Sequence, residues 1–384
     1  MKKDISLAKR ALDYHRKLNG KIGVFSKAPL KSMDDLKLCY TPGVGTVSSY
    51  LALHKDQVKN YTIKKNSVAV ISDGSAVLGL GNIGVEGALP VMEGKAMIFK
   101  EFANIDAFPI VLDTQNVDEI VATIKHIAPV FGAINLEDIS APRCFEIEKR
   151  LQDALDIFVL HDDQHATAIV VLAGLLNAFS VVKKNIKNSS VVVIGAGAAG
   201  TAVTKLLYAY GVRSLIVVDK EGILSKCRGV LLPHQKELAQ ITNKNCKEGS
   251  LEDALVGVDA VVGLSAPSII KPGFIKKMNK KPIVFALANP VPEIMPDIAK
   301  KAGAFVIATG RSDFKNQVNN ALVFPGMFRG ALDYDIKKIT DKIQINAAKK
   351  LAGIVKNPTP DKIIPSIFDP KVVKAIASTL KNRQ

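Results

Sequence analysis

The chain has 384 residues, 48% of them apolar and 23% charged; that balance rules out a disordered chain, and at roughly 100–200 residues per domain the length predicts two or three domains. Lys+Arg is 52 and Asp+Glu is 36, a formal net charge of +16, which raises a nucleic-acid partner. Yet only nine of the basic residues are Arg, and the lysines run from Lys2 to Lys381 with no aromatic-rich RNA motif, so the charge reads as a solvated surface with no nucleic acid.

The N-terminus, Met1-Lys2-Lys3-Asp4, is basic, but no apolar core follows it and no signal peptide is expected. The spacing predicts an amphipathic helix over Ile5–Asn19 that stops at Gly20. Tyr40-Thr41-Pro42-Gly43-Val44-Gly45 reads as a rigid turn. Beyond it, strands are predicted at Ser67–Ser72, Ile105–Leu112, Val130–Leu136 and Ile157–Leu160. Helical patterns fall at Val117–Ile127, Pro142–Ala154 and Gln164–Phe179. Such alternation means parallel βαβ units. The longest nearly apolar stretch, Ala166–Phe179, is 14 residues. A membrane-spanning helix needs about 20, so the stretch reads as a buried helix and no membrane is expected.

Val181–Ser189 is polar and lysine-rich, and then the pattern restarts. Strand Ser190–Ile194, helix Ala198–Tyr210 and strand Leu215–Val218 lead to candidate strands Ala260–Leu264, Ile283–Leu287 and Phe305–Ala308. Residues 311–384 are mostly helical with Pro breaks. Cys39, Cys144, Cys227 and Cys246 form no C-x-x-C pair. That spacing argues against zinc and against a disulfide scaffold, and fits a reducing cytoplasm.

G-x-G-x-x-G occurs at Gly79–Gly84 and at Gly195-Ala196-Gly197-Ala198-Ala199-Gly200. The second copy follows a strand, opens a helix, and is followed roughly 20 residues later by Asp219 at the end of the next strand. Gly195 allows the tight turn, Gly197 admits a pyrophosphate, and Gly200 lets helix and strand pack closely. The helix N-terminus supplies N–H donors. Asp219 can accept from both ribose hydroxyls, which favours NAD; Lys220 beside it keeps NADP open. After the first copy, Gly87, Pro90 and Gly94 are expected to interrupt any long helix, so that copy reads as a loop lining a site or a plain turn cluster.

Glu137-Asp138 and Asp162-Asp163 each end a predicted strand, with one helix between. That crossover puts both pairs on one sheet edge, where ligands bind in open α/β sheets. Converging carboxylates repel unless a cation joins them, and an oxygen-only set suits Mg²⁺ or Mn²⁺; four solvated loop carboxylates are the other reading. His161 and His165 flank the second pair and could be ligands, but because the oxygen set suffices each is expected to sit behind it or at the helix start. Tyr40 and Lys95 are the candidate acid and base, the lysine having its pKa pushed down near a bound cation.

Tyr40-Thr41-Pro42-Gly43-Val44, Gly79–Gly84, Glu93-Gly94-Lys95, Asn135-Leu136-Glu137-Asp138, His161-Asp162-Asp163-Gln164-His165, Asn289-Pro290, Asn316-Gln317-Val318-Asn319-Asn320 and Phe324-Pro325-Gly326 together resemble malic enzyme, in order and over almost the whole chain. The resemblance implies oxidative decarboxylation of malate to pyruvate and CO₂ with NAD or NADP. It implies Mg²⁺ or Mn²⁺ held by Glu137, Asp138 and Asp163, with Asp162 orienting this group. It makes Lys95 the base, Tyr40 the proton donor to C3, and Asn289 and Asn320 hydrogen-bonding partners of substrate or nicotinamide. The long eukaryotic branch has an Arg before the first glycine loop; here Ser75-Ala76-Val77 stands in its place. The usual Gly after the last His of His161–His165 is Ala166. A malolactic enzyme, releasing lactate with the nucleotide retained, is the nearest alternative; a basic nucleic-acid-binding protein is the one from another class.

The expected architecture is α/β: a substrate and metal domain of parallel βαβ units over 1–165, and a Rossmann-type dinucleotide domain over 166–310. Residues 311–384 are expected to return and pack on the first domain. A cytoplasmic homodimer is expected, its lysine-rich surface drawing dianionic malate to the cleft.

Overall fold

The computed structural model describes residues 2–381. It opens with α1 (Lys2–Leu18), α2 (Met33–Cys39), α3 (Gly43–Leu53) and α4 (Val58–Tyr61). A capping box starts α2: Ser32 Oγ accepts the Asp35 N–H at 3.0 Å, and the Asp35 carboxylate accepts the Ser32 N–H at 2.9 Å. Even so, α2, α3 and α4 contain no buried residue.

β1 (Ser67–Ser72), α5 (Gly84–Ala103), β2 (Asp106–Val111), α6 (Val117–Ile127), β3 (Ala133–Leu136), α7 (Arg143–Ala154) and β4 (Phe158–His161) form the first α/β unit. Its four parallel strands run in the order β2-β1-β3-β4. Helices cover both faces, so the inner strands β1 and β3 are buried along their whole length. Val68 and Val70 pack with Met92 and Phe99 of α5, and Ala69 and Ile71 with Ile120, Ile124 and Ile147 of α6 and α7.

The expected break after the first glycine loop is absent. α5 runs unbroken for 20 residues with Pro90 inside it. An interior Pro costs about 3 kcal/mol. Burial of Met92, Ala96 and Phe99 offsets that cost, since each large apolar side chain buried contributes about 1.5–3 kcal/mol.

α8 (Asp162–Val182) leaves β4 directly and crosses the centre of the molecule. Among the described residues it is the one helix long and apolar enough to span a membrane, and 67% of that window is buried inside the protein. It is a core helix, as its composition suggested.

β5 (Ser190–Ile194), α9 (Ala198–Tyr210), β6 (Ser214–Asp219), β7 (Gly222–Ile223), α10 (Pro233–Ile241), α11 (Leu251–Leu255), β8 (Ala260–Gly263), α12 (Pro272–Lys276), β9 (Ile283–Ala286), α13 (Pro296–Lys301) and β10 (Val306–Thr309) build the second unit. The sheet order is β10-β9-β8-β5-β6-β7, parallel except for β7, a two-residue strand with no signature of its own in the sequence. Strand order reverses at β5, which opens a crevice beside its carboxyl end.

α14 (Phe324–Tyr334), α15 (Asp341–Ile354) and α16 (Lys371–Ala377) complete the chain. Phe324 and Phe328 of α14 meet Phe99 of α5 edge-on. α15 packs instead on α8 and α9, and Asn177 of α8 donates to the Ala352 and Ile363 carbonyls. The C-terminal segment therefore binds both units together.

The cysteine expectation is corrected. Cys227 and Cys246 form a disulfide, while Cys39 and Cys144 are free. The partners lie 19 positions apart, too far for a local pattern. Asn243 draws their loop closed by donating to the Leu224 and Lys247 carbonyls.

Candidate active site

β3 and β4 are aligned with Leu136 opposite His161, so Glu137-Asp138 and Asp162-Asp163 emerge side by side. Oxygens of Glu137, Asp138 and Asp163 lie within 4.8 Å of one another. Asp138 has φ +52°, a left-handed conformation uncommon outside glycine. A helix and a loop hold it there: its N–H donates to Asp163 Oδ2 in the first turn of α8 at 2.9 Å, and its carbonyl accepts the Ala76 N–H at 2.9 Å. Asp138 Oδ2 is buried without a partner. Burial and the nearby Asp163 push the Asp138 carboxyl up to about 8, and burial raises Glu137 as well. A carboxylate trio with an unused oxygen, two of its members (Glu137 and Asp138) disfavoured as anions, fits a hard divalent cation.

Lys95, on α5, is buried among these groups. Its Nζ donates to Glu137 Oε1 and to Asp162 Oδ2, each at 2.5 Å, and lies 4.3 Å from the Phe324 ring centre. Burial alone lowers its pKa, but Asp162 and Glu137 outweigh burial and raise it. The expected depression is therefore not a property of the chain by itself; it requires positive charge among those carboxylates. Asn135 donates to the second Glu137 oxygen at 2.9 Å. Asp162 is fully buried and faces Lys95 rather than joining the trio.

Tyr40 is not brought to this cluster by a hydrogen bond among the described residues. It ends α2 and is 63% exposed. Asn320 opens a short turn before α14 and is half-buried. Asn289 follows β9, and its carbonyl presses on the first glycine loop: a Cβ on Gly79 would lie 1.5 Å from that oxygen. That loop is thus one place where the two units touch, Phe145 against His234 being another.

His161 and His165 stand behind the carboxylates. His161 Nδ1 is 4.0 Å from Asp163 Oδ2. His165 Nε2 pairs with Glu148, whose carboxylate also accepts the His161 N–H at 2.8 Å and a Gln164 Nε2 bond at 3.2 Å. Glu148 is buried on α7. Nothing in the sequence distinguished it from the other glutamates of that helix.

The second glycine motif lies at the switch point. Gly195 has φ +107°, and a Cβ there would come within 2.5 Å of the Leu264 carbonyl. Gly197 caps α9 with open space on its side-chain face, as a backbone that admits a pyrophosphate requires. Asp219 ends β6, but its carboxylate is not free. Arg228 bonds both its oxygens, and Gln235 donates to Oδ2 at 3.2 Å. Burial raises the Asp219 carboxyl, yet Arg228 and the Glu221 N–H hold it below the usual range. Arg228 sits in an irregular loop and carried no sequence signal.

A doubly wound sheet with its glycine turn, set against a lysine held by carboxylates, defines a nicotinamide-dependent oxidoreductase that works with a divalent cation. Comparisons with known proteins narrow the class. Residues 19–152 match the malic enzyme N-terminal domain, and residues 165–381 match the malic enzyme NAD binding domain. The NAD-dependent malic enzyme of Geobacillus stearothermophilus is 53% identical over 94% of this chain and 75% of its own length. The bifunctional malic/malolactic enzyme of Bacillus subtilis is 48% identical over 98% and 92%. The crystal structure of the Thermotoga maritima NAD-dependent malic enzyme superimposes with a TM-score of 0.93 at 48% identity, covering 97% of this chain and 98% of that one. The chain belongs to the malic enzyme family, the NAD(P)-dependent malate oxidoreductases that decarboxylate their substrate.

Proposed function

We propose that this chain converts (S)-malate to pyruvate and CO₂ with NAD in preference to NADP, and that its cation is held by Glu137, Asp138 and Asp163. The observation that carries the reading is the buried Lys95 ammonium between Asp162 and Glu137. When bound, the cation supplies a Lewis acid at the C2 oxygen, and the nicotinamide accepts the hydride. Lys95 takes the C2 hydroxyl proton as the neutral amine, the form that a cation held by Glu137, Asp138 and Asp163 would favour, while Asp162 holds its Nζ in line. Tyr40 delivers a proton to C3 once the carboxylate has left. One proton leaves oxygen and one reaches carbon, so malate dianion and NAD⁺ give pyruvate, CO₂ and NADH with no net proton. Asn289 and Asn320 hydrogen-bond the substrate and the nicotinamide side.

A homodimer is part of this reading, with Tyr40 supplied to Lys95 of a second copy. Its support is the run of exposed apolar side chains on α2 and α3, with Leu38, two residues before Tyr40, 77% and Leu53 82% exposed; exposed apolar patches mark association surfaces. A cytoplasmic location belongs to the same reading, because the reaction consumes a diffusible nucleotide. The test is a steady-state assay of malate with each nucleotide, with and without Mn²⁺, together with sedimentation of the protein. Pyruvate, CO₂ and NADH in equal amounts are expected from a dimer. Lactate without net NADH establishes the malolactic reaction instead, the second activity in the name of the Bacillus subtilis relative.

A further inference from the structure

One fully buried carboxylate stands apart from the cation cluster. Glu293 lies just beyond the loop that follows β9 and is 0% exposed. Its Oε1 accepts the Ser265 N–H at 2.9 Å, and its Oε2 accepts the Ala288 N–H at 3.0 Å. These are the second amides past the ends of two neighbouring strands. The Leu264 N–H still bonds the Ile194 carbonyl at 2.8 Å, and the Leu287 N–H the Gly263 carbonyl at 3.1 Å. The carboxylate thus continues the ladder where strand carbonyls run out, and it ties β8 to β9. Gly263 makes room for it, since a Cβ there would lie 2.4 Å from Glu293 Cδ.

Both tied ends face the cofactor side of the crevice. The Leu264 carbonyl lies against the Gly195 turn, and Leu264 keeps its own N–H bond to Ile194, so the amides that depend on Glu293 are those of Ser265 and Ala288. Asn289 follows Ala288 directly and carries the contact with Gly79. We propose that Glu293 is a positioning residue for the nicotinamide end of the dinucleotide, fixing the Ser265 and Ala288 backbone and, through it, Asn289. The inference rests on the reading of this crevice as a nicotinamide site. A carboxylate needed only for stability would affect both halves of the dinucleotide alike. A positioning one affects the ring half, where displacements near 1 Å are costly.

The experiment measures dissociation constants of full-length E293Q for NADH and for ADP-ribose, which lacks the ring, alongside its Tm. E293Q keeps one acceptor oxygen and turns an N–H₂ toward the other amide. NADH is expected to bind about tenfold more weakly, with ADP-ribose changed by less than about twofold. Equal losses for both ligands, or wild-type values for both, overturn the proposal. Should E293Q not fold, G263A, which drives a Cβ against the carboxylate, must show the same selective loss, and an equal loss or none overturns it. Neither ligand requires malate, so failure of the malate reaction leaves this result interpretable. A wild-type chain that binds neither ligand removes the nicotinamide reading and this inference together.

Discussion

Arg228 grips Asp219 through both guanidinium nitrogens, Nη1 to Oδ1 at 2.8 Å and Nη2 to Oδ2 at 2.5 Å. The acidic residue that would discriminate between nucleotides at a ribose is therefore already neutralised. A 2′-phosphate meets a guanidinium there as well as a carboxylate. Removing Asp219 frees the guanidinium for a planar, charge-assisted phosphate contact. D219A is expected to raise the NADP/NAD ratio of kcat/KM by at least about tenfold, and R228A to lower it by a similar factor. Steady-state kinetics with both nucleotides decides it; an unchanged ratio in both variants removes the pair from cofactor selection.

The same pair sets a pH expectation. Arg228 and the Glu221 N–H hold the folded Asp219 carboxyl below its usual 3.8, against the upward push of burial. A depressed carboxyl contributes its interaction above the unfolded value and loses it only as pH falls through the folded one. Binding of ADP-ribose, which carries no 2′-phosphate, is therefore expected to lose nothing through Asp219 from neutral pH down to about 5. An ADP-ribose affinity that titrates within that range in the wild type but not in D219A contradicts the assignment.

Lys95 is a buried cation between two buried carboxylates. Removing one partner of such a group leaves uncompensated charge, at a cost of about 3–5 kcal/mol. K95A is expected to lose malate oxidation by at least about 10³-fold while still binding NADH. Its lost stability is expected to return in part when Mn²⁺ is added. A folded K95A with wild-type turnover dismisses the base assignment.

A cation bound only by the folded chain stabilises it, by about 2.7 kcal/mol at one hundred times its Kd. Mn²⁺ is expected to raise the Tm of the wild-type chain. D138N, which alters the oxygen left without a partner, is expected to weaken Mn²⁺ binding by at least about tenfold. Equal Mn²⁺ shifts in wild type and D138N place the cation elsewhere.

Much of this architecture is legible because its causes are local. Strands buried on both faces must read as apolar runs, so β1, β3 and β5 stand out, and Glu137 and Asp163 stand out as charges at strand ends. What escapes the sequence depends on partners brought together by folding. Arg228 meets Asp219 from a loop, Glu148 meets His165 across two helices, and Glu293 bonds amides of two strands. α5 survives Pro90 because packing outweighs propensity. The Cys227–Cys246 pair closes across α10, a path that the spacing does not encode.

That pair allows a direct count. Thiol titration of the chain unfolded without reductant is expected to find Cys39 and Cys144 only, and all four cysteines after reduction. Four thiols without reductant, under conditions that preserve existing disulfides, show that the pair is not formed.

Gly79 offers the sharpest test of how the two units meet. Its backbone lies so close to the Asn289 carbonyl that a Cβ would fall 1.5 Å from the oxygen. No rotamer relieves that contact, because both partners are backbone. In G79A either the loop before α5 or the loop after β9 must move by an ångström or more. The first bears the Asp138 contacts and the second bears Asn289, so the displacement passes straight into the crevice. A shift of about 1 Å there costs up to about 10²-fold in rate. G79A is expected to lose kcat/KM for malate on that scale. Because Gly81, two residues on, has open space at its Cβ position, G81A serves as the control for a change in the same loop, although its positive φ adds local strain. A G79A enzyme with wild-type kcat/KM shows that the contact between the units is not maintained in the working enzyme.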